Sequence, residues 1–219
     1  MLSCAEVSSR YNAQMTTNTS PTADSKSRGR KSTFERDDAL SIALNLFWRH
    51  GYEGVSITDL CQTIGIAPPS LYHAFGSKAD LYRSALRLYA AGNLTVEEIA
   101  AMPSARSAVQ SVLAFGVKAV TQPGKPVGCM ISSGMLRVGV ENADIAAELR
   151  TMRAELREAL EQRILCDVEA GLLPPTVDSA ALARFYATIL QGLSVAAVDG
   201  AERAELDLVV QAAMQAWPA

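Results

Sequence analysis

Between residues 32 and 90 the apolar positions recur at steps of three and four and are broken at short intervals by glycine, which predicts a series of short amphipathic helices. Ser32 followed by Glu35 opens the first, because this pair can satisfy the free N–H groups of an opening turn. Leu40, Ala43, Leu44 and Phe47 then share one face as far as His50, and Gly51 ends the run. Ser56 and Asp59 repeat the opening signal, with Ile57, Leu60, Cys61 and Ile64 turned inward and Gly65 as the stop. A third helix begins at Pro68 and Pro69, which are tolerated in a first turn because those N–H groups would lack an internal partner. Leu71 and Phe75, four apart, face inward, so Pro69, Ser70, Tyr72 and His73 face outward until Gly76 closes the helix. Ser77 and Asp80 open a longer helix through Leu81, Ala85, Leu88 and Tyr89 that links this head to the rest of the chain.

From Ser104 onward the pattern stays helical, predicting helices over about 104–121, 128–139, 143–170, 178–199 and 203–217, with Pro123, Pro126 and the Pro174-Pro175 pair between them. Within 143–170, Ile145, Leu149, Met152, Leu156, Leu160 and Ile164 form one stripe opposite a charged face, as in a bundle helix with one wet side. The last two helices are broadly apolar. Leu182, Phe185, Ile189 and Leu193 on one, and Leu206, Val209, Val210, Ala213 and Trp217 on the other, could pack within the chain, but as a pair they are expected to meet a two-fold copy as a four-helix interface. The fold class is therefore all-α, with about nine helices: a three-helix head carrying a helix-turn-helix and a C-terminal helical bundle. Three regions follow: an arm over 1–31, a helix-turn-helix head over 32–92, and a helical body over 93–219.

Composition narrows the function classes. Residues 1 to 31 are rich in Ser, Thr and Asn without apolar periodicity, which predicts a disordered arm, and its end carries Arg28, Arg30 and Lys31. Met15 offers a second start, leaving residues 1–14 dispensable. The net charge of −3 conceals an asymmetry: eight Lys/Arg against six Asp/Glu between Ser25 and Arg83, then eleven against fifteen to the end. A basic head on an acidic body suits a polyanion-binding module joined to one that stays off the polyanion. The longest uncharged apolar stretches read as shorter than the roughly 20 residues of a membrane helix, and nothing at the start resembles an export leader. A cytoplasmic protein with no membrane partner is expected. Cys4, Cys61, Cys129 and Cys166 lie far apart with no CxxC, so the expectation is reduced thiols, no metal site and no cofactor.

Two short helices joined by a glycine turn and braced by a longer one form the arrangement that offers a second helix to the major groove of DNA. Its outward side chains can then reach base edges, while neighbouring helix N-termini and cations such as Lys78 hold phosphates. His73 alone would be an ordinary histidine, and Tyr72 alone a packing residue; their setting gives them the DNA-facing role. Phe47 and Trp48 are read as core and domain-contact residues, and His50 as a helix-end residue facing the carbonyl dipole.

The stretch Ala39–Leu81, with its run ALNLFWRHGYEGVSITDLCQTIGIAPPSLYHAFGSKADL, resembles the N-terminal domain of the TetR/AcrR family of transcriptional regulators. The resemblance rests on an aromatic residue followed by Gly-Tyr, a Ser/Thr-x-x-x-Leu/Ile step, the Gly turn, Leu-Tyr-x-x-Phe and a Lys. It implies an all-helical homodimer on a palindromic operator of double-stranded DNA, released when the C-terminal domain binds a small-molecule inducer. It also implies that Ser56 and Thr58 meet phosphate at the start of the second helix. Pro68, Pro69, Ser70, Tyr72 and His73 then fall on the recognition helix, with Tyr72 on phosphate, and Lys78 is the phosphate-binding lysine. Ala74 stands where the family commonly has an aromatic residue, and the proline pair removes two backbone donors, so base readout is expected to rest chiefly on Ser70 and His73.

An inducer cavity is expected inside the body, with Phe115, Cys129, Met130, Met135 and Tyr186 as candidate lining, against the plain alternative that each is core. Cys129, at the entrance to the 128–139 helix, is a candidate redox-sensing thiol. An activator would share the same DNA chemistry. A helical carrier or enzyme with a vestigial head is the remaining alternative. The body offers it no HExxH or ExxH, no Gly-rich phosphate loop and no histidine base for a Ser or Cys, so no enzymatic activity is expected.

Overall fold

The computed structural model describes residues 35–136 and 138–218; the arm, with Arg28, Arg30 and Lys31, and the Ser32 cap lie outside the described residues. Among the described residues there are nine α-helices and no strand: α1 Arg36–His50, α2 Ile57–Ile64, α3 Pro68–Phe75, α4 Lys78–Ala90, α5 Val96–Ala100, α6 Ala105–Val120, α7 Ala143–Glu169, α8 Ser179–Val198 and α9 Arg203–Gln215. A 3-10 turn, Val140–Asn142, precedes α7. Arg36–Ala219 forms one compact unit.

Glycine and capping signals set the helix ends where they were expected. Ser56 accepts from the Asp59 N–H while the Asp59 carboxylate accepts from the Ser56 N–H, and Ser77 and Asp80 do the same for α4. Gly65, at φ 81°, supplies the left-handed residue that ends α2. α1 lies along α4 with Ala39, Ala43 and Phe47 buried. Phe47 meets the Tyr82 ring edge-on at 5.0 Å, and Tyr52 closes the cluster against Tyr82 at 5.1 Å. Burial pushes the Tyr82 phenol up to about 12, so it stays neutral inside this cluster. Cys61 is buried beneath α2, and Phe47 is core, as expected.

In the body, α6, α7, α8 and α9 enclose Val109, Leu113, Val117, Leu160, Ile164 and Leu193. The α7 stripe holds for Ile145, Leu149, Leu160 and Ile164, which are buried. Asp167, 3% exposed, secures the entry to α6: its Oδ2 accepts from the Ala105 N–H at 2.7 Å, and its Oδ1 pairs with Arg163 at 2.7 Å. Arg163 also donates to the Met102 and Pro103 carbonyls, fastening the approach to α6 onto α7.

Four expectations need correction. Among the described residues of 128–139 there is no helix. Successive turns run there instead, because Gly128, Gly134 and Gly139 weaken helix formation and Gly128 (φ 88°) and Met135 (φ 53°) are left-handed. The ninth helix is α5, opened by a Thr95–Glu98 capping box that periodicity over five residues does not reveal. Cys166 is disulfide-bonded, so the expectation of reduced thiols fails there, whereas Cys61 and Cys129 are free. And α8, at 20 residues with a mean hydropathy of 1.4, is long and apolar enough to cross a membrane, because the single charge within it, Arg184, does not offset its apolar residues. Here its inner side instead packs on α6 and α7.

The expected partner face is also divided. Leu193, Leu206, Val210 and Ala213 are buried in this chain's own core, because α8 and α9 pack on α6 and on each other, and they have no surface left for a second copy. Leu182, Ile189 and Trp217 are partly buried against that core. Phe185 and Val209 remain exposed, joined by Val195, Val198 and Leu208.

Asp167→Ala would leave Arg163 partly buried without its carboxylate and the first N–H of α6 unsatisfied. The expected cost is about 3 kcal/mol, read as a fall in the midpoint of urea unfolding; an unchanged midpoint would show that Asp167 does not secure α6.

Candidate nucleic-acid interface

The head is built so that α3 presents one side and buries the other. Leu71 and Phe75 are buried, while Pro68, Pro69, Ser70, Tyr72 and His73 are all exposed, Tyr72 by 49%. Pro68 and Pro69 occupy the first two helical positions after Ala67, which provides no side-chain cap, so the start of α3 has lost two donors. Its outward chemistry therefore rests on the Ser70 hydroxyl, the Tyr72 phenol and the His73 imidazole.

The flanking residues are brought to the same head by α2 and α4. Ser56 and Thr58 are exposed at the start of α2. The Ser56 hydroxyl is already committed, donating to Asp59 Oδ2 at 2.6 Å and accepting from the Asp59 N–H at 3.1 Å. Lys78, the first residue of α4, lays its ammonium over the Tyr52 ring, 4.2 Å from the centroid. That partial burial lowers its pKa, while Glu53 and Asp59 act in the opposite direction. Lys78 is thus a positioned cation held against an aromatic face.

One neighbour was missed. Arg36 donates to the Ala74 carbonyl at 3.4 Å and sits 4.9 Å from the Phe75 ring centroid, over the closing end of α3. The sequence counted it only as charge, because a contact 38 residues away leaves no periodic signal. Trp48, expected as a domain-contact residue, reaches the body: its indole N–H donates to the Gly128 carbonyl at 2.9 Å. Arg83 forms ion pairs with Asp144 and with Glu148 at the start of α7, and the Asn142 amide donates to Glu53 at 2.6 Å.

A cavity of about 230 Å³ lies in the body between α4, α6, α7 and α8. Phe115 and Cys129 line it, with Tyr89, Met152, Leu190 and Ser194. The other three expected lining residues are elsewhere. Met130 and Met135 border a separate cleft of about 550 Å³ beside Trp48, Tyr52 and Tyr82, because the turns of 130–135 direct them toward α1. Tyr186 lines neither space: 1% exposed, it packs on Trp217 and donates to the Ala213 carbonyl at 3.1 Å. Cys129 does not stand at a helix entrance.

Residues 39–85 match the family of bacterial regulatory proteins, tetR family. The HTH-type transcriptional repressor ComR of Escherichia coli K12 is 34% identical over 88% of this chain and 93% of its own length. The chain belongs to the TetR family of transcriptional regulators. TetR-family regulator CifR, solved as a cysteine mutant complexed with 26-bp double-strand operator DNA, is 38% identical with a TM-score of 0.80, covering 87% of this chain and 100% of its own. AibR, solved with isovaleryl coenzyme A and operator DNA, shares the fold at 19% identity and a TM-score of 0.58, over 82% of this chain and 96% of its own. As a TetR-family regulator, the chain carries a helix-turn-helix of which α3 is the second helix, and homodimers are typical of its relatives.

The carboxylates of Asp59 and Asp80 are held below their ordinary pKa of 3.8, first by the Ser56 and Ser77 hydroxyls and next by those residues' N–H groups. Because the folded values lie below the unfolded ones, both caps stabilise fully above about 3.8 and are lost as pH falls through the lower folded values. Asp59→Asn and Asp80→Asn should therefore flatten the acid limb of a melting-temperature profile below that pH. An acid limb of unchanged slope in the double variant would rule out the caps as its source.

Proposed function

We propose that this TetR-family regulator is a repressor that binds a palindromic operator as a homodimer and is released from it by a small molecule bound in its body. The observation that carries this is the exposed set Pro68, Pro69, Ser70, Tyr72 and His73 on a helix whose other side is fully used by Leu71 and Phe75. In this reading Ser70 and His73 meet base edges, Tyr72, Thr58 and Lys78 meet phosphates, and Ser56 contributes through the start of α2 that it caps. Residues 32–92 serve as the head and 93–219 as the ligand-binding and dimerisation body. Its action is regulatory rather than enzymatic and takes place in the cytoplasm. ComR, named a repressor, and CifR, solved on operator DNA, support the direction of control and the partner.

A single eight-residue helix spans only a few base pairs, so tight binding needs two copies whose recognition helices sit one helical repeat apart, roughly 34–36 Å. The exposed apolar residues Phe185, Val195 and Val198 on α8 and Leu208 and Val209 on α9 provide the surface for pairing. The cavity beside Phe115 and Cys129 provides the ligand site, and an occupant that favours a different head separation lowers operator affinity by its differential binding energy.

The test is fluorescence anisotropy with duplex DNA from beside the protein's own gene. Tyr72→Ala and Lys78→Ala are each expected to weaken binding about tenfold, near 1.4 kcal/mol. Lys78→Ala should also reduce the slope of log affinity against log salt by about one. Affinity retained in both variants would remove α3 and α4 from the interface.

A further inference from the structure

One peptide group is held from the head on one side and from the body on the other. The Gly128 carbonyl accepts from the Trp48 indole of α1 at 2.9 Å, and the Cys129 N–H donates to Ser194 Oγ of α8, also at 2.9 Å. These are the two ends of one trans peptide, whose C=O and N–H point in opposite directions, so the group is held from α1 on one side and from α8 on the other. Gly128 is needed there for two reasons: its φ is 88°, and a Cβ would stand 2.7 Å from Val198 Cγ2 on the same face of α8.

The body cavity touches this link at several points. Ser194, 1% exposed, lines it, as do Cys129 and Tyr89. Tyr89 in turn meets the Trp48 ring edge-on at 4.9 Å. Burial first, and then the Cys129 thiol, push the Tyr89 phenol well above its ordinary pKa, so it remains a neutral wall. Cys129 also borders the cleft beside Trp48, which makes its peptide the partition between the two spaces.

The lining also restricts what the cavity can hold. Among the described residues no Lys, Arg or His borders it, and its one carboxylate, Glu155, is exposed. An anion would lose its hydration without gaining a counter-charge. Most of the wall is apolar, and the Ser194 hydroxyl in it already accepts one hydrogen bond, from the Cys129 N–H.

We propose that the cavity takes a small, neutral, predominantly apolar molecule whose hydrogen-bonding group competes for Ser194, and that the Gly128–Cys129 peptide carries its arrival to α1 through Trp48. This rests on the reading of the cavity as the regulatory site, but the mechanical link can be measured without DNA. An occupant that draws the Ser194 hydroxyl away frees the Cys129 N–H; the peptide then turns, and the Gly128 carbonyl leaves the indole. α1 loses its polar anchor on the body.

The experiment is hydrogen–deuterium exchange on the full chain. Ser194→Ala should accelerate exchange at the Cys129 amide and, by about fivefold or more, across residues 44–50 of α1. Trp48→Phe, which removes the indole N–H from the other end, should reciprocally accelerate Cys129. Benzyl alcohol, an apolar ring with one neutral hydroxyl, should protect residues 105–120 and accelerate 44–50 in the parent, and lose the second effect in Ser194→Ala; benzoate at the same concentration should do neither. Acceleration confined to the mutated end in both variants would overturn the link, and equal action by benzoate, or none by benzyl alcohol, would overturn the ligand chemistry. Coupled exchange in a protein that binds no duplex from beside its gene would uphold the link and overturn the repressor reading.

Discussion

An eight-residue helix is too short to persist in water on its own, so the outward face of α3 exists only because Leu71 and Phe75 are buried beneath it. The demand propagates inward. α3 needs α2 and α4 at defined ends, which the glycine turn and the two serine–aspartate caps provide, and α4 needs α1, which the Phe47, Tyr52 and Tyr82 rings lock to it. Because the packing is done from one side, the opposite side is left polar and exposed, the condition for meeting a nucleic acid groove. The same ring cluster positions Lys78 over Tyr52, so one aromatic core sets both the recognition helix and the cation beside it.

The connection of head to body has a different character. Arg83 with Asp144 and Glu148, and Glu53 with Asn142, are largely exposed pairs, and such pairs contribute little once salt and side-chain entropy are counted. The Trp48 bond to Gly128 is partly shielded and is reinforced by the Tyr89 ring. If the head is released by a ligand as proposed above, one well-placed polar link serves better than a large apolar seam, which could not be undone for a few kilocalories.

The division of α8 shows how one helix can meet three demands. Its composition would allow it to cross a bilayer, its inner residues Ala183, Tyr186 and Leu193 complete the core, and Phe185, Val195 and Val198 stay exposed. Apolar periodicity on such a helix is nearly all-round, which is why Leu193 looked available to a partner and is not, while Val195 and Val198 were overlooked.

Much of the local structure of the head was legible from the chain: the helix ends at Gly65 and Gly76, the caps at Ser56 and Ser77, and the inward and outward sides of α3, because each depends on residues within four positions of one another. Where contacts span long stretches, the pattern fell silent. Arg36 over Phe75, Trp48 on Gly128 and Asp167 at the start of α6 join residues 39 to 80 apart, and no periodicity encodes them. Residues 128–136 depart from the expected helix for a related reason: their Met and Ile side chains resemble a helix face, but their glycines and their anchors on α1 and α8 are satisfied by turns. Which apolar residues line a space, which fill the core and which stay outside is decided by how helices cross, and only the assembled fold contains that information.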